Sequence, residues 1–172
     1  MENKKDVILL TGAGQIGMAI ARRIGYEKKI IIGDKKIENA NAISKIMNEA
    51  GFDTEAVECD ISSRESIQNL IKVGQSYGEI ANIINAAGVS PSQAPIEAIL
   101  KVDLYGTAVL LEEVGKVIKK GGVGVTILSQ SGKRMKQLTK EEDELLATTD
   151  TDELLKLDIL QPENITDTLH AY

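Results

Sequence analysis

The sequence predicts an α/β protein built on a doubly wound parallel sheet. Short aliphatic runs at 7–10, 30–32, 82–84 and 123–128 alternate with segments whose apolar residues recur at helical spacing. The runs are apolar almost without interruption, as in strands buried on both faces of a sheet. Successive parallel strands need right-handed crossovers, and the intervening helical segments are long enough to supply them.

The elements follow in order. Val7-Ile8-Leu9-Leu10 forms the first strand and leads into a glycine turn. Ile16, Ala19, Ile20 and Ile24 then mark a helix, at spacings of three, four and eight from Ile16. Residues 30–32 make a second strand, and Ala40, Ile43, Met47 and Ala50 a second helix. Residues 55–59 form a third strand. Ile67, Leu70 and Ile71 mark a third helix, with Ser62 as the expected N-cap and Glu65 three residues on. Asn82-Ile83-Ile84 is a fourth strand, followed by one long helix over 96–118. Gly121-Gly122 stops it, and 123–128 is a fifth strand.

Beyond Ser131 the character changes. Residues 140–158 are acidic and leucine-paired, and Asp143-Glu144-Leu145-Leu146 recurs as Asp152-Glu153-Leu154-Leu155. Two copies of four residues are too short for a repeat architecture. Two short helices with a solvated charged face are expected, the first opened by a Thr139/Glu142 capping box. A last helix is expected to begin near Pro162, because proline suits a first helical position.

The composition narrows the function. A length of 172 residues with 42% apolar and 27% charged residues suits a single domain over 1–172. No apolar run is long enough to span a membrane, and the polar opening residues do not read as a signal peptide. Cys59 is the only cysteine, which excludes an intrachain disulfide and sites built from several thiolates, so no metal is expected. A net charge of −6 and five aromatic residues argue against nucleic acid as a partner. A cytoplasmic protein with a small-molecule ligand and no membrane partner is expected.

Thr11-Gly12-Ala13-Gly14-Gln15-Ile16-Gly17 carries a G-x-G-x-x-G pattern between the first strand and the first helix. Gly12 permits a tight turn, Gly14 lets a pyrophosphate approach the backbone, and Gly17 lets helix and strand pack closely. The opening residues Gln15 and Ile16 belong to the helix N-terminus, whose amides and dipole attract phosphate. Asp34, twenty residues after Gly14, is placed to accept hydrogen bonds from both hydroxyls of an adenosine ribose. Capping the next helix is a compatible second role. The carboxylate would repel a 2′-phosphate, which favours NAD over NADP, although Lys35 and Lys36 adjoin it.

These motifs, taken together, resemble a short-chain dehydrogenase/reductase. The loop beginning Thr11-Gly12 resembles the family's cofactor loop. Cys59-Asp60-Ile61 resembles the site where an acidic side chain and the next backbone N–H touch adenine, so Asp60 and Ile61 become candidates. Asp60 as a mere helix cap is the competing reading. Asn85-Ala86-Ala87-Gly88 resembles the Asn-Asn-Ala-Gly segment that borders the cofactor. Val102-Asp103-Leu104-Tyr105-Gly106 resembles the segment carrying a catalytic asparagine, with Asp103 in its place. Ile127-Leu128-Ser129-Gln130-Ser131-Gly132 resembles the end of strand five, where Ser129 matches the catalytic serine and Ser131 is the runner-up. Ala171-Tyr172 resembles the start of Tyr-x-x-x-Lys. The resemblance implies a Rossmann-like sheet and hydride transfer between NAD and a secondary alcohol or ketone, in a homo-oligomer.

Four departures stand out. The glycines at 12, 14 and 17 fit the general dinucleotide pattern better than the family's wider T-G-x-x-x-G-x-G spacing. Asp103 brings a charge where the family has an amide. Ser129 and Tyr172 are 43 residues apart, so 133–161 reads as an acidic helical insertion beside the active site. The family's lysine would fall at position 176, past the last residue, so the chain reads as truncated, lacking the last strands of the usual sheet. In the family mechanism tyrosine is the acid/base, and a neighbouring lysine lowers its pKa from about 10. These 172 residues are therefore expected to show negligible turnover. A non-catalytic NAD-binding module is the alternative. A methyltransferase fits less well, because Thr11 stands where such loops usually have an acid. Cys59 is expected to be a small buried hydrophobe, and Tyr105 and His170 to be bystanders.

Overall fold

The computed structural model describes residues 5–134 and 138–172. The first four residues, and 135–137 of the expected insertion, lie outside the described residues. The chain divides into two compact units. The first comprises Met1–Ala87 and Leu110–Ile127, the second Gly88–Val109 and Leu128–Tyr172.

The first unit holds a five-stranded parallel sheet in the order β3-β2-β1-β4-β5. Its strands are β1 (Lys5–Thr11), β2 (Lys29–Asp34), β3 (Asp53–Glu58), β4 (Gly78–Asn85) and β5 (Val123–Thr126). The strand order reverses direction between β1 and β4, where an open parallel sheet leaves a crevice at the carboxyl ends of its strands. Helices α1 (Gln15–Ile24), α2 (Ile37–Glu49) and α3 (Arg64–Tyr77) make the first crossovers.

Strand periodicity divides the core. Ile8, Leu10, Ile30, Ile32 and Ile84 pack with Ala21 of α1 and Ala40, Ile43 and Met47 of α2. On the opposite face Gly74 of α3 comes so close to Leu9 and Val7 that a Cβ there would lie 2.8 Å from a Leu9 methyl. Both faces of the sheet are therefore covered, which explains why the strands read as unbroken apolar runs. β5 is an edge strand, with Val123 63% and Val125 40% exposed. Across the outer helices Arg64 of α3 donates to Glu112 and Glu113, and Gln68 and Lys116 complete the shell around Glu113. Hydrogen bonds from Lys116, Gln68 and Arg64 hold the Glu113 carboxyl below its ordinary pKa despite its burial.

In the second unit, α4 (Ile96–Ile99) runs directly into a π-helix (Leu100–Gly106). α5 (Thr107–Gly115) continues from it, beginning in the second unit and ending in the first. The 96–118 helix expected from sequence is thus interrupted by a wider turn and stops at Gly115. The second unit also holds α6 (Ser131–Arg134), α7 (Lys140–Thr148), short 3-10 turns and α8 (Thr168–Ala171). The Thr139/Glu142 capping box is present in full. Pro162 opens a 3-10 turn (Pro162–Asn164) rather than the last helix, which starts at Asp167 through a bond from the His170 N–H to its carboxylate. At α3 the N-cap is Ser63 and not Ser62, whose hydroxyl and N–H instead go to Asp60.

Ile32 is fully buried in the middle of this core. Ile32→Ala should lower unfolding free energy by about 2–5 kcal/mol in urea titration, the range for truncating a large aliphatic side chain.

Candidate nucleotide-binding and catalytic residues

The glycine loop is shaped by β1 and β4. Gly12 has φ +85°, and a Cβ there would sit 2.5 Å from the Ala87 nitrogen and 2.6 Å from the Ala86 carbonyl. Only glycine satisfies both demands. Its N–H donates to the Gly33 carbonyl at 2.8 Å, and the Gly14 N–H donates back to the Gly12 carbonyl at 2.9 Å. Gly17 sits on the sheet, where a Cβ would be 2.7 Å from a Leu10 methyl and 3.1 Å from Ala86 Cβ. Gly14 is different, since its φ of −103° suits any residue and a Cβ would meet nothing within 4 Å. Among the described residues, none beyond its two chain neighbours comes within 4 Å of that Cβ position.

α1 starts immediately after Gly14, with no side-chain cap and no acid in its first turn. The amides of Gln15, Ile16 and Gly17 belong to the first turn, where N–H groups have no intrahelical acceptor. This terminus attracts an anion through both its N–H groups and its dipole. Ile16 is 59% exposed beside it.

Two polar ties fix the loop. The buried Thr11 hydroxyl donates to Asn85 Oδ1 at 2.8 Å, joining the ends of β1 and β4. The Ala13 N–H donates to Asp34 Oδ2 at 2.9 Å. Asp34 Oδ1 accepts from the Lys36 N–H and from Asn39 Nδ2. Asp34 therefore does not cap α2, whose N-cap is Lys36. It braces the loop; Oδ1 already accepts two donors, while Oδ2, with one, retains capacity for a further donor.

Asp60 accepts from the Ser62 N–H and hydroxyl and forms an ion pair with Lys35 at 2.8 Å. Burial opposes its ionisation, but the Lys35 and Ser62 hydrogen bonds outweigh it and hold the carboxyl below the ordinary range. Ile61 is buried next to it. Cys59 is also buried, and desolvation, helped by Asp60 and Asp34, pushes its thiol up to about 11.

Asp103, Ser129, Ser131 and Tyr172 all lie in the second unit, as does Gly88. Asp103 Oδ1 accepts from the Val89 N–H at 2.9 Å, while Oδ2 is buried with no hydrogen-bond partner. Burial pushes this carboxyl above its ordinary pKa against the pull of the Val89 N–H. Ser129 is exposed, and its hydroxyl accepts the Ser131 N–H at 3.2 Å at the start of α6. The Ser131 hydroxyl is buried without a partner. Tyr172 is 38% exposed and follows α8, which packs on α4. His170 Nδ1 meets the Thr166 N–H, so the ring closes a local turn.

Sequence reasoning passed over Thr11 and Asn39 as determinants of the site. Their signal is weak, because a hydroxyl before a glycine turn and an amide on a helix face have many uses. No group of three His, Cys, Asp or Glu side chains placed to hold a metal exists among the described residues. None of their helices is long and apolar enough to cross a membrane.

A parallel sheet whose first strand feeds a glycine turn and an uncapped helix N-terminus, with an acid closing the second strand, defines a Rossmann-like α/β protein. The family comparison is specific: the model for short chain dehydrogenase matches residues 6–142, and the chain belongs to that family. It is 33% identical over 98% of its length to the short-chain dehydrogenase/reductase bsc3 of Alternaria brassicicola, of which it covers 61%. A Burkholderia xenovorans structure assigned to the short-chain dehydrogenases/reductases superposes with a TM-score of 0.65 and 25% identity, covering 76% of this chain and 58% of that one. The NADH complex of 3-ketoacyl-(acyl-carrier-protein) reductase from Brucella melitensis shares the fold with a TM-score of 0.65 at 20% identity, over 75% of this chain and 59% of that one. The chain thus spans about three-fifths of the length of these relatives.

Two outcomes test this geometry. Thr11→Val should cost about 1 kcal/mol of stability in denaturant titration, the net worth of one hydrogen bond. Cys59 should resist iodoacetamide at pH 8 in the folded protein and react once urea unfolds it, as read by intact mass, because the thiolate is the nucleophile.

Proposed function

We propose that the protein is an NAD-dependent oxidoreductase that moves a hydride between the nicotinamide and the carbon of a secondary alcohol or ketone. The observation that carries this reading is Gly14. The fold makes no demand on it, yet it stands open beside an uncapped helix N-terminus. The amides of Gln15, Ile16 and Gly17 would hold the pyrophosphate. Asp34, already oriented by Ala13, Lys36 and Asn39, would accept the ribose hydroxyls. Asp60 and Ile61 would border adenine, and Asn85, Ala86, Ala87 and Gly88 the remainder of the dinucleotide. When bound, the coenzyme supplies the hydride chemistry.

In the catalytic group Ser129 would hydrogen-bond the substrate oxygen, Tyr172 would exchange its proton, and Asp103 would organise the neighbouring backbone. NADP is disfavoured, because the Asp34 carboxylate would repel a 2′-phosphate and Lys35 is drawn to Asp60. The same proposal puts the protein in the cytoplasm as a homo-oligomer.

Calorimetry with NADH, NADPH and S-adenosylmethionine tests the coenzyme reading. NADH should bind, NADPH more weakly, and S-adenosylmethionine not at all. Gly14→Val should leave the melting temperature unchanged and weaken NADH by about tenfold or more, a change of about 1.4 kcal/mol per tenfold step. An unchanged NADH affinity in that variant would overturn the reading.

A further inference from the structure

We propose that Asp103 is a positioning residue that sets the backbone at Gly88 and Val89 through its own protonation state. Ionised, it holds the Val89 N–H firmly; protonated, it holds it loosely. The carboxyl lies directly against this backbone. Oδ1 accepts the Val89 N–H at 2.9 Å, and a Cβ at Gly88 would come within 3.2 Å of the same oxygen. Oδ2 is buried and has no partner. Asp103 projects from a π-helix, a wider turn that recurs at functional sites in proteins.

The two oxygens pull in opposite directions. A hydrogen bond to an ionised acceptor is about twice as strong as a neutral one, so the Val89 contact favours the carboxylate. Oδ2 bears the other half of that charge with nothing to satisfy it, and buried unpaired charge is costly. A proton taken up at Oδ2 removes the cost and leaves Oδ1 as a weaker, neutral acceptor.

No neighbouring charge decides the balance. Glu97 on α4 is exposed. On the 3-10 helix (Thr151–Lys156), which packs against the π-helix, Asp152 receives the Tyr105 hydroxyl and Glu153 pairs with Lys156. Lys101, on the same element as Asp103, is exposed. Desolvation and the Val89 N–H are the influences on the carboxyl, and desolvation prevails, so the exchange falls above the ordinary carboxylate range. Because the folded pKa is raised, this group stabilises the fold most below its unfolded pKa. That contribution is lost as pH rises from there through the folded pKa.

This inference does not rest on the coenzyme reading. Nitrogen-edited NMR of the 172-residue chain, titrated from about pH 4 to about pH 8 around the reference carboxylate value, follows the Val89 amide directly. In the wild type it should move through one step with a midpoint above the ordinary Asp value. D103N keeps an acceptor for Val89 but cannot ionise, so the step should vanish while the amide stays protected from exchange. D103A should abolish the step and speed Val89 exchange at every pH. A flat Val89 amide in the wild type, or the same step in D103N, overturns the proposal.

Discussion

The carboxyl end of the sheet depends on the close meeting of two strand ends. β1 and β4 run side by side until Thr11 and Asn85, where a buried hydroxyl–amide hydrogen bond joins them. Immediately beyond, Gly12 turns with positive φ so tightly over Ala86 and Ala87 that no side chain fits. This contact determines where the chain leaves β1, and therefore where α1 begins and which way its first amides point. Gly17 makes the same demand one turn later against Leu10 and Ala86. The small side chain of Ala86 is the other half of the constraint, since a larger residue there would press on Gly17 of α1.

The carboxylates of Asp34 and Asp103 are accommodated differently. Asp34 is surrounded by donors from its own loop, from α2 and from the glycine turn, so its charge is used to brace local backbone. Asp103 has one donor and one buried orphan oxygen, so its charge is poorly compensated. The first arrangement suits a rigid recognition element. The second suits a group whose ionisation changes what it holds, a property an asparagine in the same place would lack.

Much of this was legible in the chain because the physics is local and periodic. Unbroken aliphatic strands announced a sheet covered on both faces, and parity alone sends Ile8 and Leu10 to one side and Val7 and Leu9 to the other. Thr139 and Glu142 announced their helix start, since both partners of a capping box lie within one turn. What was not legible depends on close competition or on distance. Ser62 and Ser63 are chemically equivalent caps, and the choice was made by Asp60, which takes Ser62 for itself. The π-helix leaves no mark in a pattern that reads as one helix from 96 to 118. Thr11 found its partner 74 residues away, and nothing in its neighbours foretold that.

The three glycines of the loop carry different kinds of information. Gly12 and Gly17 are accounted for by the fold, because each would drive a Cβ into backbone or core. They would be required even in a protein that bound nothing. Gly14 has ordinary dihedral angles and open space where its side chain would be, so packing gives no reason for the missing Cβ. A glycine costs backbone entropy relative to other residues. Keeping one at a helix N-terminus that no side chain caps makes sense when an outside group must come close to those amides. The same uncapped first turn that weakens α1 in isolation is what leaves its amides available.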